Sequence, residues 1–156
     1  MKRLTNPFAK LEGYNCFGCS PHNHHGLRMQ FFEEGEEIVS TWEPARDYQG
    51  YHNVLHGGIQ ATLMDEIASW VVYVKLKTAG FTSRAEVRYR KTIFTDGGAV
   101  TLRARCTAMR RNLADIEVRL FDSGNTLCAE GLFTYFTYSA EKAREHMFYP
   151  GEDAFR

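Results

Sequence analysis

The chain has 156 residues, of which 44% are hydrophobic, 24% charged and 13% aromatic. That is the make-up of one compact domain and excludes a disordered, collagen-like or coiled-coil protein. Nineteen basic residues balance nineteen acidic ones, so no net charge draws the chain to nucleic acid or to an anionic membrane. No apolar run approaches the ~18 residues of a membrane span. The opening MKRLTNPFAK places no apolar stretch behind its basic residues, so it does not read as a secretory signal. The expectation is a cytoplasmic protein whose four cysteines are thiols.

Residues 1–26 form a lead-in, followed by two strands over Leu27–Phe32 and Ile38–Trp42. The acidic cluster Glu33, Glu34, Glu36 and Glu37 around Gly35 is the solvated hairpin tip between them. Glu43 to Leu55 is a loop carrying Pro44, Gly50 and Asn53. From Gly57 to Lys77, Ile59, Leu63, Ile67, Trp70, Val71 and Val74 recur at helical spacing, with Ala61, Met64, Ala68 and Val72 on the other side. A helix apolar nearly all round is buried nearly all round. Ala79-Gly80 supplies its stop, glycine taking the left-handed C-terminal conformation cheaply.

After Gly80 the period becomes two, with strands around Thr82–Tyr89, Val100–Ala108, Asp115–Leu120 and Thr126–Tyr138. Asp96-Gly97-Gly98, Arg111-Asn112 and Asp122-Ser123-Gly124-Asn125 read as the hairpin turns between them. The tail, residues 140–156, holds a short helix over Glu141–His146 ended by Pro150-Gly151. Alternation with one polar face marks a sheet covered on one side. The fold class is α+β: one antiparallel sheet wrapped around one long central helix, a single domain over 1–156 with its core at about 27–138.

The chemistry gathers at the helix start, His56-Gly57-Gly58. Two glycines let a ligand approach the backbone, and the first amides of a helix are unpaired donors at its positive end. Such a site suits a polarised carbonyl or a developing oxyanion. Asp65 and Glu66 follow within the apolar helix, where a buried carboxylate needs a partner or a task. An inert reading of the same residues sends Glu66 to solvent and bonds Asp65 to Thr62 and Ser69. Gly57 and Asp65 stand eight residues apart, roughly 12 Å along one helix. Joint action on one carbon therefore needs the carboxylate of a second, antiparallel copy across a two-fold axis.

The run His56-Gly57-Gly58 followed by Ala61-Thr62-Leu63-Met64-Asp65-Glu66 resembles the hotdog-fold thioesterase superfamily, of the phenylacetate-degradation (PaaI-like) type. The likeness covers about residues 14–138, including Gln49-Gly50-Tyr51 and the strand Thr82 to Tyr89. It implies an acyl-CoA thioesterase that splits an acyl- or aryl-CoA thioester, working as a homodimer or a homotetramer. Gly57 would present its N–H to the thioester oxygen with His56 assisting, and Asp65 of the second copy would act as general base or nucleophile. Thr82, with Ser83 as the fallback, would position the water. Asn53, Gly58, Ser83, Arg88 and Arg90 are candidate substrate contacts. In one respect the chain departs from the pattern: an asparagine common six residues before the histidine is Gly50 here, and Asn53 reads as a turn residue rather than its replacement. That departure keeps a non-catalytic acyl-CoA-binding protein as the alternative. No metal or other cofactor is required, because a thioester has a good leaving group, and no Gly-x-Ser-x-Gly elbow or phosphate loop is present.

Cys16-Phe17-Gly18-Cys19 with His22, His24 and His25 holds enough ligand types for zinc, yet no second, well-separated pair follows. We read it as a loop over the site entrance, without metal, and Cys106 and Cys128 as core residues. Between Phe81 and Phe121, nine Lys/Arg face four Asp/Glu. This is an ordinary solvated sheet face or a dock for coenzyme A phosphates, where arginine's fork suits the anion. No nucleic-acid motif accompanies it.

Overall fold

In the computed structural model, which covers residues 1–156, β1 (Lys2–Arg3), β2 (Phe32–Glu34) and β3 (Glu37–Trp42) precede α1 (Gly57–Val74). β4 (Gly80–Tyr89), β5 (Val100–Arg110), β6 (Leu113–Phe121), β7 (Leu127–Thr137) and α2 (Ala140–Met147) follow it. The strands form one antiparallel sheet in the order β1-β2-β3-β5-β6-β7-β4. Leu102, Ala104, Ile116, Val118, Leu120 and Phe133 alternate onto its concave face and are buried, as are Leu63, Met64, Ile67 and Val71 of α1. Removing one such side chain costs about 2–5 kcal/mol, because the close-packed wall relaxes only in part.

The far side of α1 is covered by both ends of the chain. Trp70 stacks on Phe31 and meets Phe155 edge-on, while Phe8, Tyr73 and Tyr149 complete an aromatic layer. This explains why the helix carries apolar residues nearly all round: sheet on one side, terminal segments on the other. No helix is long and apolar enough to cross a membrane.

Five expectations change. The strand placed at Leu27–Phe32 begins only at Phe32: Arg28 takes a left-handed φ of 50°, and the Leu27 and Met29 amides donate to Phe17 and Gly18 carbonyls instead of a strand. Leu27, Met29 and Phe31 are buried all the same, so the alternation was a burial signal without a ladder. The helix ends at Val74 rather than Lys77, and the left-handed residue after it is Lys77, φ 59°. Gly80 is instead the first residue of β4, where a Cβ would collide with the Phe136 carbonyl.

Asp96-Gly97-Gly98 is no hairpin turn. β4 pairs with β7 and β5 with β3 and β6, so residues 90–99 cross from the sheet edge to its interior. Turn residues reverse the chain; burial decides which strands then pair. Cys128 is buried, but Cys106, in the middle of β5, is only half-buried. The hairpins at Arg111-Asn112 and at 122–125 form as read, with Arg111 and Asn125 left-handed.

Candidate active site

His56 caps α1: its Nδ1 accepts the Gly58 N–H at 2.8 Å, and its carbonyl accepts the Gln60 N–H at 3.0 Å. The Gly57 and Ile59 amides have no partner within the protein. Two donors at the positive end of an 18-residue helix are thus free. Tyr89, across on β4, donates its hydroxyl to the Gly57 carbonyl at 2.7 Å and holds that first turn in place. A cleft of about 300 Å³ opens here, lined by Gly50, Tyr51, Val54, Leu55, His56 and Gly57. Gly50 lies against the His56 ring, where an added Cβ would come within 3.3 Å of Cδ2. The position that holds an amide in the resembled family is therefore part of this cleft.

Asp65 is two turns further on, in a second cleft. Its Oδ1 accepts from the Thr82 hydroxyl at 2.7 Å and from the Tyr135 hydroxyl at 2.7 Å, and Tyr135 also reaches the Asp65 carbonyl at 2.8 Å. Oδ2 has no protein partner. Thr82 and Tyr135 are cross-strand neighbours on β4 and β7, and the register shifts just after Thr82. Ser83 is the extra residue of that bulge, which turns Thr82 toward the helix and leaves Ser83 without a role at Asp65. Burial, and then the Asp65 charge, push the Tyr135 phenol well above its ordinary pKa, so it stays a donor. Thr62 and Ser69 do not join: they donate to the Gly58 and Glu66 carbonyls.

Glu66 does not point to solvent, so a Glu66→Gln change is no silent control for Asp65. Its carboxylate is tucked against Gly18 and lies 3.6 Å from the Cys16 sulfur. Burial, and then the neighbouring Cys16, push its pKa up to about 8. Cys16 is held below the ordinary thiol range, mainly by the hydrogen bond from the Cys19 thiol, which is itself pushed up. Asp65, Glu66, Cys16 and Cys19 line one cleft of about 400 Å³, walled by aromatic residues including Tyr73, Phe81 and Phe148. His22, His24 and His25 are exposed and outside this cluster.

The other candidate contacts are engaged elsewhere. Asn53 is left-handed, φ 59°, and its amide accepts from Thr95 at 2.7 Å and donates to Asp96 at 3.0 Å. It ties the loop before α1 to the crossover and is not among the residues that line either cleft. The Gly58 amide is taken by His56. Arg90 pairs with Glu130, at 2.9 and 3.2 Å. Arg103 and Arg119 reach Glu34 and Glu37, and Arg110 reaches Asp115. Part of the basic surplus is thus paired with carboxylates from outside its own stretch, Glu34, Glu37 and Glu130. Of the two candidate arginines, Arg88 is the looser, 3.9 Å from Glu86 and well exposed.

Tyr89 and Tyr135 are functional candidates the sequence reading missed. Both sit on inward positions of their strands, but only the tertiary structure shows what their hydroxyls reach.

A sheet wrapped on one long central helix is the hotdog arrangement, and the family match gives the class, thioester hydrolases. Residues 52–129 match the family model described as "Thioesterase superfamily", and the chain belongs to that family. No curated protein matches. The fold is similar to a Streptococcus pneumoniae hypothetical thioesterase solved with coenzyme A (22% identity, TM-score 0.66), over 72% of this chain and 87% of that one. It is also similar to a Streptococcus mutans protein bound to acetyl CoA (20%, TM-score 0.67), over 84% of this chain and 98% of that one. A third likeness is to E. coli PaaI of the phenylacetic acid degradation operon (14%, TM-score 0.66), over 73% and 82%.

Proposed function

We propose that the protein hydrolyses an acyl- or aryl-CoA thioester to the free acid and coenzyme A, at two sites shared between the copies of a homodimer. The observation that carries this reading is the division of α1: an unpartnered Gly57 amide at its start, and Asp65, oriented by Thr82 and Tyr135, in a separate cleft. The two are about 12 Å apart along the helix, too far to meet at one carbonyl carbon within a chain. An antiparallel second helix brings one copy's Gly57 to the other's Asp65. The dimer is further supported by β4, an edge strand paired only with β7 and exposed along nearly all of its length, since an open edge is a ready pairing surface. A homotetramer built from two such dimers is compatible with it.

In the reaction, the Gly57 N–H donates a hydrogen bond to the thioester carbonyl oxygen, and the helix end favours the oxyanion that develops there. Asp65 takes a proton from water as that water attacks the carbonyl, or attacks directly to give an anhydride that water then opens. The C–S bond breaks, and the coenzyme A thiolate leaves and is protonated. Thr82 and Tyr135 fix Oδ1, leaving Oδ2 for the water. The acyl group occupies the aromatic-walled cleft beside Asp65. Arg88, exposed and only loosely paired with Glu86, is the guanidinium proposed for a coenzyme A phosphate.

Mixed dimers test the shared site. Asp65→Asn and Gly57→Pro chains, each inactive alone, should regain about half the wild-type turnover per heterodimer, because one of two sites is intact. Thiol release over short, long and aromatic acyl-CoAs ranks the substrates. No rescue on mixing would end the shared-site mechanism. Tight acyl-CoA binding with no thiol release would favour the non-catalytic alternative, for which Gly50 is the supporting observation.

A further inference from the structure

We propose that Cys16, Cys19 and Glu66 form a binding site for a single divalent metal ion of the zinc class. The sulfurs of Cys16 and Cys19 are 3.6 Å apart, and Glu66 Oε1 is 3.6 Å from Cys16 Sγ. All three ligand atoms lie within 4.8 Å of one another. Tetrahedral zinc, with Zn–S near 2.3 Å and Zn–O near 2.0–2.2 Å, sets two sulfurs about 3.8 Å apart and a sulfur and an oxygen about 3.5 Å apart. The two distances from Cys16 fall close to those values before any ion is bound. The ligand types agree as well: two thiol sulfurs select zinc over magnesium or calcium, which prefer all-oxygen shells.

The supports of the cluster are built into the fold. The Cys16–Cys19 turn is pinned where the Leu27 amide donates to the Phe17 carbonyl at 2.7 Å and the Met29 amide to that of Gly18 at 3.0 Å. Tyr14 lies 3.0 Å from the Cys19 sulfur, and the Asn6 amide donates to the Cys19 carbonyl at 3.1 Å. Gly18 has no side chain because the Glu66 carboxylate occupies that space: an added Cβ would fall 2.5 Å from its atoms. Outer partners of this kind hold ligands in place and tune them.

Charge and access point the same way. The shared cleft is lined by Asp65, Glu66, Cys16 and Cys19, with no Lys, Arg or His among its lining residues. Acidic groups gathered without a basic partner are complementary to a cation, and all three ligands border a cleft from which water can fill the fourth position. The loop reading, without metal, rested on the lack of a second ligand pair in the sequence. The third ligand comes from the central helix instead, 47 residues beyond Cys19.

Metal content tests the site without substrate, so its outcome is independent of the thioesterase reading. The purified, reduced full-length chain is loaded with Zn²⁺, freed of excess by gel filtration and analysed for metal. A parallel sample takes Co²⁺ for absorption spectroscopy. The expected result is one ion per chain, a thiolate-to-cobalt charge-transfer band, and protection of two thiols from alkylation. Cys16→Ser and Cys19→Ser should abolish retention, and Tyr14→Phe should weaken affinity by ~10-fold, as for loss of an outer-shell partner. Wild-type retention no greater than that of the Cys16→Ser chain would overturn the proposal. So would equal affinity in the wild type and Glu66→Gln, or a Cys16–Cys19 disulfide formed without metal under the same conditions.

Discussion

The start and the middle of α1 are built on opposite principles. At the start, His56 satisfies one amide and leaves Gly57 and Ile59 free, beside a cleft open to solvent. In the middle, Asp65 is gripped by two hydroxyls that come from different strands. One end offers donors that wait for a ligand; the other holds an acceptor that is already oriented. A free donor and a fixed acceptor on one rigid rod cannot meet, which is why the proposed mechanism has a second copy reverse the order.

The largest effect should come from the fixed end. Asp65→Asn keeps an oxygen for Thr82 and Tyr135 and loses the basic carboxylate. Turnover should fall by at least ~10²-fold, the loss of a positioned general base, with little change in KM or in melting temperature. Full activity in that variant would remove Asp65 from the mechanism.

Gly57→Pro probes the free end with the same chemical economy. Proline at the first helical position removes one N–H that is unpartnered anyway, and His56 already has the extended ψ of 133° that a residue before proline requires. A Cβ at this site meets the Tyr89 ring at an ordinary 3.5 Å. The helix should persist while turnover falls ~10²-fold, the lower range for one oxyanion donor. Circular dichroism beside the thiol-release assay separates the two effects.

Thr82→Val sharpens the contrast by loosening the grip on Asp65 without removing it. One hydrogen bond to a charged group is worth about 1.5–3 kcal/mol, so a loss of at least ~10-fold in kcat is expected. Wild-type kcat would show that Tyr135 alone orients the carboxylate.

The smallest effect belongs to the far end of the helix, which is a clamp rather than a site. Glu33 accepts from Arg156, at 3.0 and 3.1 Å, and from Lys75, at 2.6 Å; these bonds hold its carboxyl at about 2 instead of 4.5. A pKa depressed by folding adds stability that is complete above about pH 4.5 and is lost as the pH falls toward about 2. Glu33→Gln should lower the melting temperature at neutral pH, and the gap to wild type should close over that window. Thiol release at neutral pH should be unchanged.

The sequence by itself determined the periodic parts. Apolar residues at helical spacing marked α1, and two-residue alternation marked the strands after it, because burial imposes those periods whatever the neighbours are. His56-Gly57-Gly58 and Asp65 were legible as chemistry, since a free helix start and a carboxylate in an apolar helix both demand an explanation. Thr82 was legible through the resemblance alone.

The tertiary structure decided what depends on distant partners. The order of strands placed β4 at the edge beside β7, and so brought Thr82 and Tyr135 to one oxygen. Residues 27–31 spent their amides on the cysteine loop rather than on a strand. Glu66 gave no sign in the sequence of facing Cys16, because helical offset fixes only the angle of a side chain, while the protein around it decides whether that angle opens on water or on a half-buried thiol.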